Sequence, residues 1–185
     1  MSQNTSREEL FERILSRLNT KRRIDAPFIV GINGIDASGK TVFSKELSHF
    51  LLCRGYCVQL VHVDDFHNPK EVRYHGDSGD ENYLYHSFNF DRLVRDLLDP
   101  IVERKELDIE LNVLDLNTDR YTLSRHYMVR RDSIVIIEGV FLFKKGISQV
   151  PRLEDLPGYQ LPGVSAARDS PPQPSSCRRN RESVR

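Results

Sequence analysis

The sequence predicts an α/β protein with a mostly parallel sheet, organised around one phosphate-binding loop. Three observations carry that prediction. Gly34-Ile35-Asp36-Ala37-Ser38-Gly39-Lys40-Thr41 reads G-x-x-x-x-G-K-T. It follows an apolar, β-rich run, Phe28-Ile29-Val30-Gly31-Ile32, and precedes a segment with apolar residues at helical spacing, Val42 to Leu51. Two further apolar runs, Cys57 to Val63 and Ile134 to Gly139, each reach a carboxylate at or near their ends, where open α/β sheets gather ligands.

The loop's residue types follow from the chemistry of holding phosphate. Glycine at 34 and 39 permits backbone angles that a side chain penalises and clears room for phosphate oxygens. Backbone N–H groups of residues 34–41 turn inward, and the start of the next helix adds partial positive charge. Lys40 is placed to reach the β- and γ-phosphates, and the Thr41 hydroxyl to bind Mg²⁺.

Composition narrows the classes of function. The chain has 185 residues, enough for one domain with a real core. Its 27 basic and 27 acidic residues balance, so global charge gives no argument for nucleic acid or an anionic membrane as partner. No apolar run approaches the roughly 20 residues needed to span a bilayer, and Met1-Ser2-Gln3-Asn4-Thr5 lacks a signal-peptide core. Cys53, Cys57 and Cys177 make neither a disulfide framework nor a zinc pattern, which fits reduced thiols in a cytoplasmic protein.

Taken in order, residues 6–20 read as a helix. Ser6-Arg7-Glu8-Glu9 is a capping box, and Leu10, Phe11, Ile14, Leu15 and Leu18 form one apolar stripe. Pro27 opens the first strand, where its missing N–H does little harm. Gly55 marks the turn into the second strand, Cys57–Val63, which leads into Asp64-Asp65-Phe66-His67. Asp64 is therefore a candidate base or metal ligand, although Asp also favours such places as a cap. His62, Asp64, Asp65 and His67 make a weaker case for a metal site of their own, because nothing is spaced to complete a closed shell. A magnesium ion carried by a nucleotide needs only one or two carboxylates.

Residues 68–90 read as a long polar loop with Tyr74, His75, Tyr83, Tyr85, His86 and Phe88, suited either to stacking on a base or sugar or to anchoring the loop. A helical stripe from Phe90 to Leu98 is expected to stop near Pro100, and residues 107–129 alternate as a β excursion. Ile134-Val135-Ile136-Ile137-Glu138-Gly139 is the third buried strand, with Glu138 expected to face the magnesium or its water shell. Beyond about residue 146 apolar periodicity stops, and six of the nine prolines lie between Pro151 and Pro174. The organisation expected is an N-terminal helix at 1–24, a nucleotide-binding domain at 25–145 and a disordered tail at 146–185.

Four elements in this order resemble the uridine kinase and phosphoribulokinase family, which also has a pantothenate kinase branch. They are Gly31 to Thr41, Val63-Asp64-Asp65-Phe66-His67, Phe90-Asp91-Arg92-Leu93, and Ile136-Ile137-Glu138-Gly139-Val140-Phe141. The resemblance implies a kinase-type P-loop NTPase, a three-layer α/β sandwich whose third strand lies between the first and second. It implies ATP and Mg²⁺ as cofactors, with Lys40 and Thr41 serving them, Asp64 taking the proton of a substrate hydroxyl, and Glu138 near the magnesium. It implies a small nucleoside- or sugar-like acceptor.

The chain departs from that pattern twice. The family's Tyr-Asp…His-Ser-Arg element is replaced by Leu114-Asp115-Leu116-Asn117-Thr118-Asp119-Arg120, so uridine or cytidine is not implied as acceptor. After Lys145 nothing matches the family's fourth strand and arginine lid, so the sandwich is expected to be incomplete at its C-terminus. That departure raises a rival, an ATP-binding or regulatory remnant without turnover. A GTPase switch is disfavoured by the lack of an Asn-Lys-x-Asp guanine-reading element.

Overall fold

In the computed structural model, which describes residues 6–75, 86–140 and 142, a three-stranded parallel sheet separates two apolar cores. Helix α1 (Arg7–Lys21) opens on the capping box: Ser6 accepts from the Glu9 amide and Glu9 accepts from the Ser6 amide. Then come β1 (Phe28–Asn33), α2 (Lys40–Cys53) and β2 (Val58–His62), the last followed by a single 3₁₀ turn, Val63–Phe66. A short α3 (Lys70–Arg73) precedes residues 76–85, which lie outside the described residues together with Tyr83 and Tyr85. Helix α4 (Phe90–Leu93), a π-helical turn (Val94–Leu98) and α5 (Asp99–Arg104) follow, then the hairpin β3 (Leu107–Asp115) and β4 (Arg120–Val129), and finally β5 (Ile134–Gly139).

The strand order is β1-β5-β2, all parallel, as the kinase-type topology requires. β5 is buried along its whole length, and its alternation divides the protein into layers. Ile134 and Ile136 pack with Phe11, Ile14, Phe43, Leu47 and Leu51 from α1 and α2. Val135 and Ile137 pack on the opposite core with Leu93, Leu97, Ile101, Tyr127 and Val129. Full burial of an aliphatic side chain of this size contributes about 1.5–3 kcal/mol, so this one strand anchors both cores.

Three readings of the sequence need correction. β2 covers Val58–His62, because Val63 already belongs to the 3₁₀ turn. Helical structure does not stop at Pro100. In the π-helical turn the Asp99 amide reaches back to the Val94 carbonyl, and Pro100 then stands at the start of α5, where a missing N–H costs nothing. The β excursion expected over residues 107–129 needs none: it is an antiparallel hairpin with one irregularity between Val113 and Asp115. Segment 68–90 is not wholly irregular, since α3 lies within it and His67 bridges to Phe88. Among the described residues β1 pairs only with β5; the tail expected at 146–185 lies outside them.

Candidate nucleotide-binding site

The carboxyl ends of β1, β5 and β2 fix the site. Parallel register sets Ile32 beside Glu138 and Glu138 beside His62. Glu138 shares the parity of Ile134 and Ile136, so its side chain leaves the sheet on the α2 side. Thr41, in the first turn of α2, meets it there: the Thr41 hydroxyl donates to Glu138 Oε1 at 3.1 Å. His62 Nδ1 lies 2.6 Å from the same oxygen. Glu138 is only 2% exposed, and its Oε2 is buried with no hydrogen-bond partner among the described residues. Burial is the largest influence on this carboxyl and pushes it up. The hydrogen bonds from His62 and Thr41, with the positive fields of His62 and Lys40, outweigh burial and hold it below the usual glutamate range.

Close approach of β5 to the end of β2 requires Gly139. A Cβ at that position would stand 2.5 Å from Val63 Cβ and Cγ2, well inside contact distance.

The loop itself is arranged for an anion. Gly39 caps α2 at φ +83°, and Ala37 is also left-handed at φ +58°, a departure that a non-glycine residue makes only where its surroundings hold it. The Ser38 amide bonds the Ile35 carbonyl at 3.3 Å. The amides of Ile35, Ala37 and Gly39 donate to nothing among the described residues, leaving a concave set of donors at a helix start. Lys40 folds back over this hollow: its Nζ is 3.4 Å from the Ile35 carbonyl and 3.6 Å from Asp36 Oδ1. Both contacts are long and Asp36 is exposed, so a phosphate group can replace them at little cost.

Asp64 stands apart from this cluster, exposed in the 3₁₀ turn two residues beyond His62. Its backbone carbonyl accepts from the His67 amide and ring, while its carboxylate has no partner among the described residues. The other members of the His62–His67 cluster diverge. Asp65 accepts from Tyr127 at 3.0 Å and pairs with Arg125 at 3.1 Å, so it fastens β4 to the turn after β2. No three of the described His, Cys, Asp and Glu side chains are grouped to hold a metal ion by themselves.

The residues present fit magnesium carried with a nucleotide. Thr41 and Glu138 offer the hard oxygen donors that Mg²⁺ prefers, and the unpartnered Glu138 Oε2 is a buried acceptor without a donor. His62 was legible only as a weak metal candidate. Its link to Glu138 crosses 76 positions and emerges only from the register of β2 on β5.

No protein-family model and no curated protein matches the chain. Solved structures do. A possible uridine kinase from Bacillus stearothermophilus superposes with a TM-score of 0.64 at 26% identity, covering 78% of this chain and 74% of that one. A candidate fructose transport system kinase from Silicibacter sp. TM1040 superposes with a TM-score of 0.52 at 21% identity, covering 74% of this chain but only 64% of that one, and bears on the fold alone. The fold is thus that of the P-loop kinases. Within them, the resemblance to the uridine kinase and phosphoribulokinase-like family holds in three dimensions.

Proposed function

We propose that this chain binds ATP with Mg²⁺ at residues 34–41 and acts as a small-molecule kinase, transferring the γ-phosphoryl group to a hydroxyl of a nucleoside- or sugar-like acceptor. The observation that carries the reading is the 3.1 Å bond from Thr41 to the buried Glu138, which joins the phosphate loop to an acid at the sheet's carboxyl edge. Free loop amides and Lys40 support it, as does the P-loop kinase fold.

In this reading the amides of Ile35, Ala37 and Gly39 hold phosphate oxygens, and Lys40 swings from the Ile35 carbonyl to the β- and γ-phosphates. Thr41 and Glu138 would hold the magnesium, and Asp64, exposed in the turn two residues beyond His62, would be a further carboxylate available to it. Bound Mg²⁺ would neutralise charge on the β- and γ-phosphates. Asp64, exposed and unpaired among the described residues, accepts the proton of the acceptor hydroxyl as its oxygen bonds to phosphorus and ADP leaves. Catalysis of this type rests on positioning and charge stabilisation. Cytoplasmic residence belongs to the same reading; among the described residues no helix is long and apolar enough to cross a membrane.

A coupled ADP-release assay with Mg²⁺, ATP and a panel of nucleosides and sugars tests the proposal. Turnover with one acceptor class, lost in Asp64→Asn, is the expected result. Magnesium-dependent ATP binding with no turnover on any acceptor favours the non-catalytic rival. Absence of ATP binding overturns both.

A further inference from the structure

We propose that His62 is a positioning residue for the metal–nucleotide site: it locks the Glu138 carboxylate so that Oε2 is the atom left to serve the magnesium. The inference rests on the ATP–Mg²⁺ reading above and adds to it a residue outside the phosphate loop.

The geometry is specific. Glu138 Oε1 receives both local donors, Thr41 at 3.1 Å and His62 Nδ1 at 2.6 Å, while Oε2 receives none among the described residues. An ionised carboxylate only accepts, so Nδ1 carries the proton and the ring's orientation is set by this bond. With two donors on one oxygen, the carboxylate of Glu138, itself 2% exposed, cannot rotate without breaking a buried bond. Thr41 alone would not suffice, because a hydroxyl that also coordinates a metal offers its proton along a direction the metal dictates. His62 belongs to the strand beside Glu138, held by the backbone ladder between β2 and β5 rather than by the phosphate loop. Groups that orient a metal ligand in this way are commonly worth about 10–100-fold in metal affinity or activity.

Calorimetry on the full chain, with ATP in the presence and absence of Mg²⁺, tests the proposal without any turnover. The quantity read is the ratio of the two ATP affinities. In His62→Ala the ratio should fall about 10–100-fold, with ATP affinity in the absence of Mg²⁺ little changed. His62→Asn should retain most of the ratio, because its side-chain amide nitrogen can occupy the Nδ1 position and donate to Oε1. Thermal melts of both variants accompany the titrations; if His62→Ala does not fold, His62→Asn decides. An unchanged ratio in His62→Ala, or a His62→Asn ratio collapsed while its melt is normal, overturns the proposal and leaves the kinase reading intact. A parent chain that binds ATP equally well with and without Mg²⁺, or not at all, overturns the ATP–Mg²⁺ reading and this inference together.

Discussion

The Tyr127 hydroxyl donates to Asp65 Oδ2 at 3.0 Å, and through that bond β4 is fastened to the turn that carries Asp64. Tyr127 is 2% exposed and packs 6.4 Å, centroid to centroid, from the Phe66 ring. Asp65 spends its other oxygen on Arg125. The catalytic candidate at 64 therefore sits beside a residue both of whose oxygens are engaged by the hairpin. Tyr127→Phe keeps the packing and removes the bond, and should cost about 1.5–3 kcal/mol, the range for a hydrogen bond to a charged group. Urea denaturation of the two proteins measures it.

Tyr127 also makes that difference depend on pH. Burial first, then the charge and hydrogen bond of Asp65, push its phenol far above the ordinary tyrosine value. In the unfolded chain it ionises near the usual value of about 10, while in the native state it stays protonated. The native state then binds more protons, so stability falls as pH rises past about 10. Tyr127→Phe lacks this loss. The stability gap between the two proteins should shrink between pH 9 and about pH 11, and a constant gap in paired urea titrations would show that Tyr127 ionises freely in the native state.

Gly139→Ala should be among the most damaging small substitutions in the sheet. The new methyl would lie 2.5 Å from Val63, between the end of β5 and the turn after β2. Overpacking of this kind costs about 1–3 kcal/mol, and here it also pries His62 from Glu138. Adding Val63→Gly, which removes both the Cβ and the Cγ2 that the methyl meets, should show a favourable coupling energy between the two positions, which a double-mutant cycle resolves.

Lys40→Ala should weaken ATP binding by the loss of one charged hydrogen bond, on the order of 1.5–3 kcal/mol. Fold stability should hardly change, because the lysine's contacts at 3.4 and 3.6 Å are long ones. Calorimetry with Mg²⁺ and a thermal melt separate the two effects; equal ATP affinity would remove the phosphate-loop role.

Asp64→Asn should leave ATP affinity within a factor of about two while cutting phosphoryl transfer by about 10²–10⁴-fold, the span of general-base catalysis. The carboxylate makes no hydrogen bond among the described residues, so no structural contact is lost with it. Turnover close to that of the parent would assign the proton to another acceptor.

Local physics made the phosphate loop, the capping box at Ser6 and the buried β5 readable, because each is written within a few consecutive residues. Pro100 misled for the opposite reason. Its rule assumes an unbroken α-helix, and here the π-helical turn at Val94–Leu98 intervenes, so that Pro100 falls in the first turn of a new helix. The boundary of β2 was misplaced because Val63 is apolar in either conformation and is buried against the core as part of a turn. The bond between His62 and Glu138 is not a property of either segment. It depends on strand order and on a register in which one residue of slip would send the histidine to the other face. The Asp65–Tyr127 contact is hidden for the same reason, since it needs the hairpin's docking as well as its existence.

The strand order β1-β5-β2 also sets when the protein can assemble. β1 and β2 are made early, yet each finds its only strand partner among the described residues in β5, at residues 134–139. Until that segment leaves the ribosome, Phe28–Asn33 and Val58–His62 are synthesised strands without a sheet, and the α1–α2 core lacks Ile134 and Ile136. Closing so long a loop is entropically costly before any contact rewards it, and parallel pairing of this kind is intrinsically slow. From the emergence of β2 until that of β5 the nascent chain carries two unpaired apolar strands, the kind of exposed surface that favours chaperone capture and mispairing. β5 is thus the one strand that unites the sheet among the described residues, divides the two cores and sets Glu138 between Ile32 and His62.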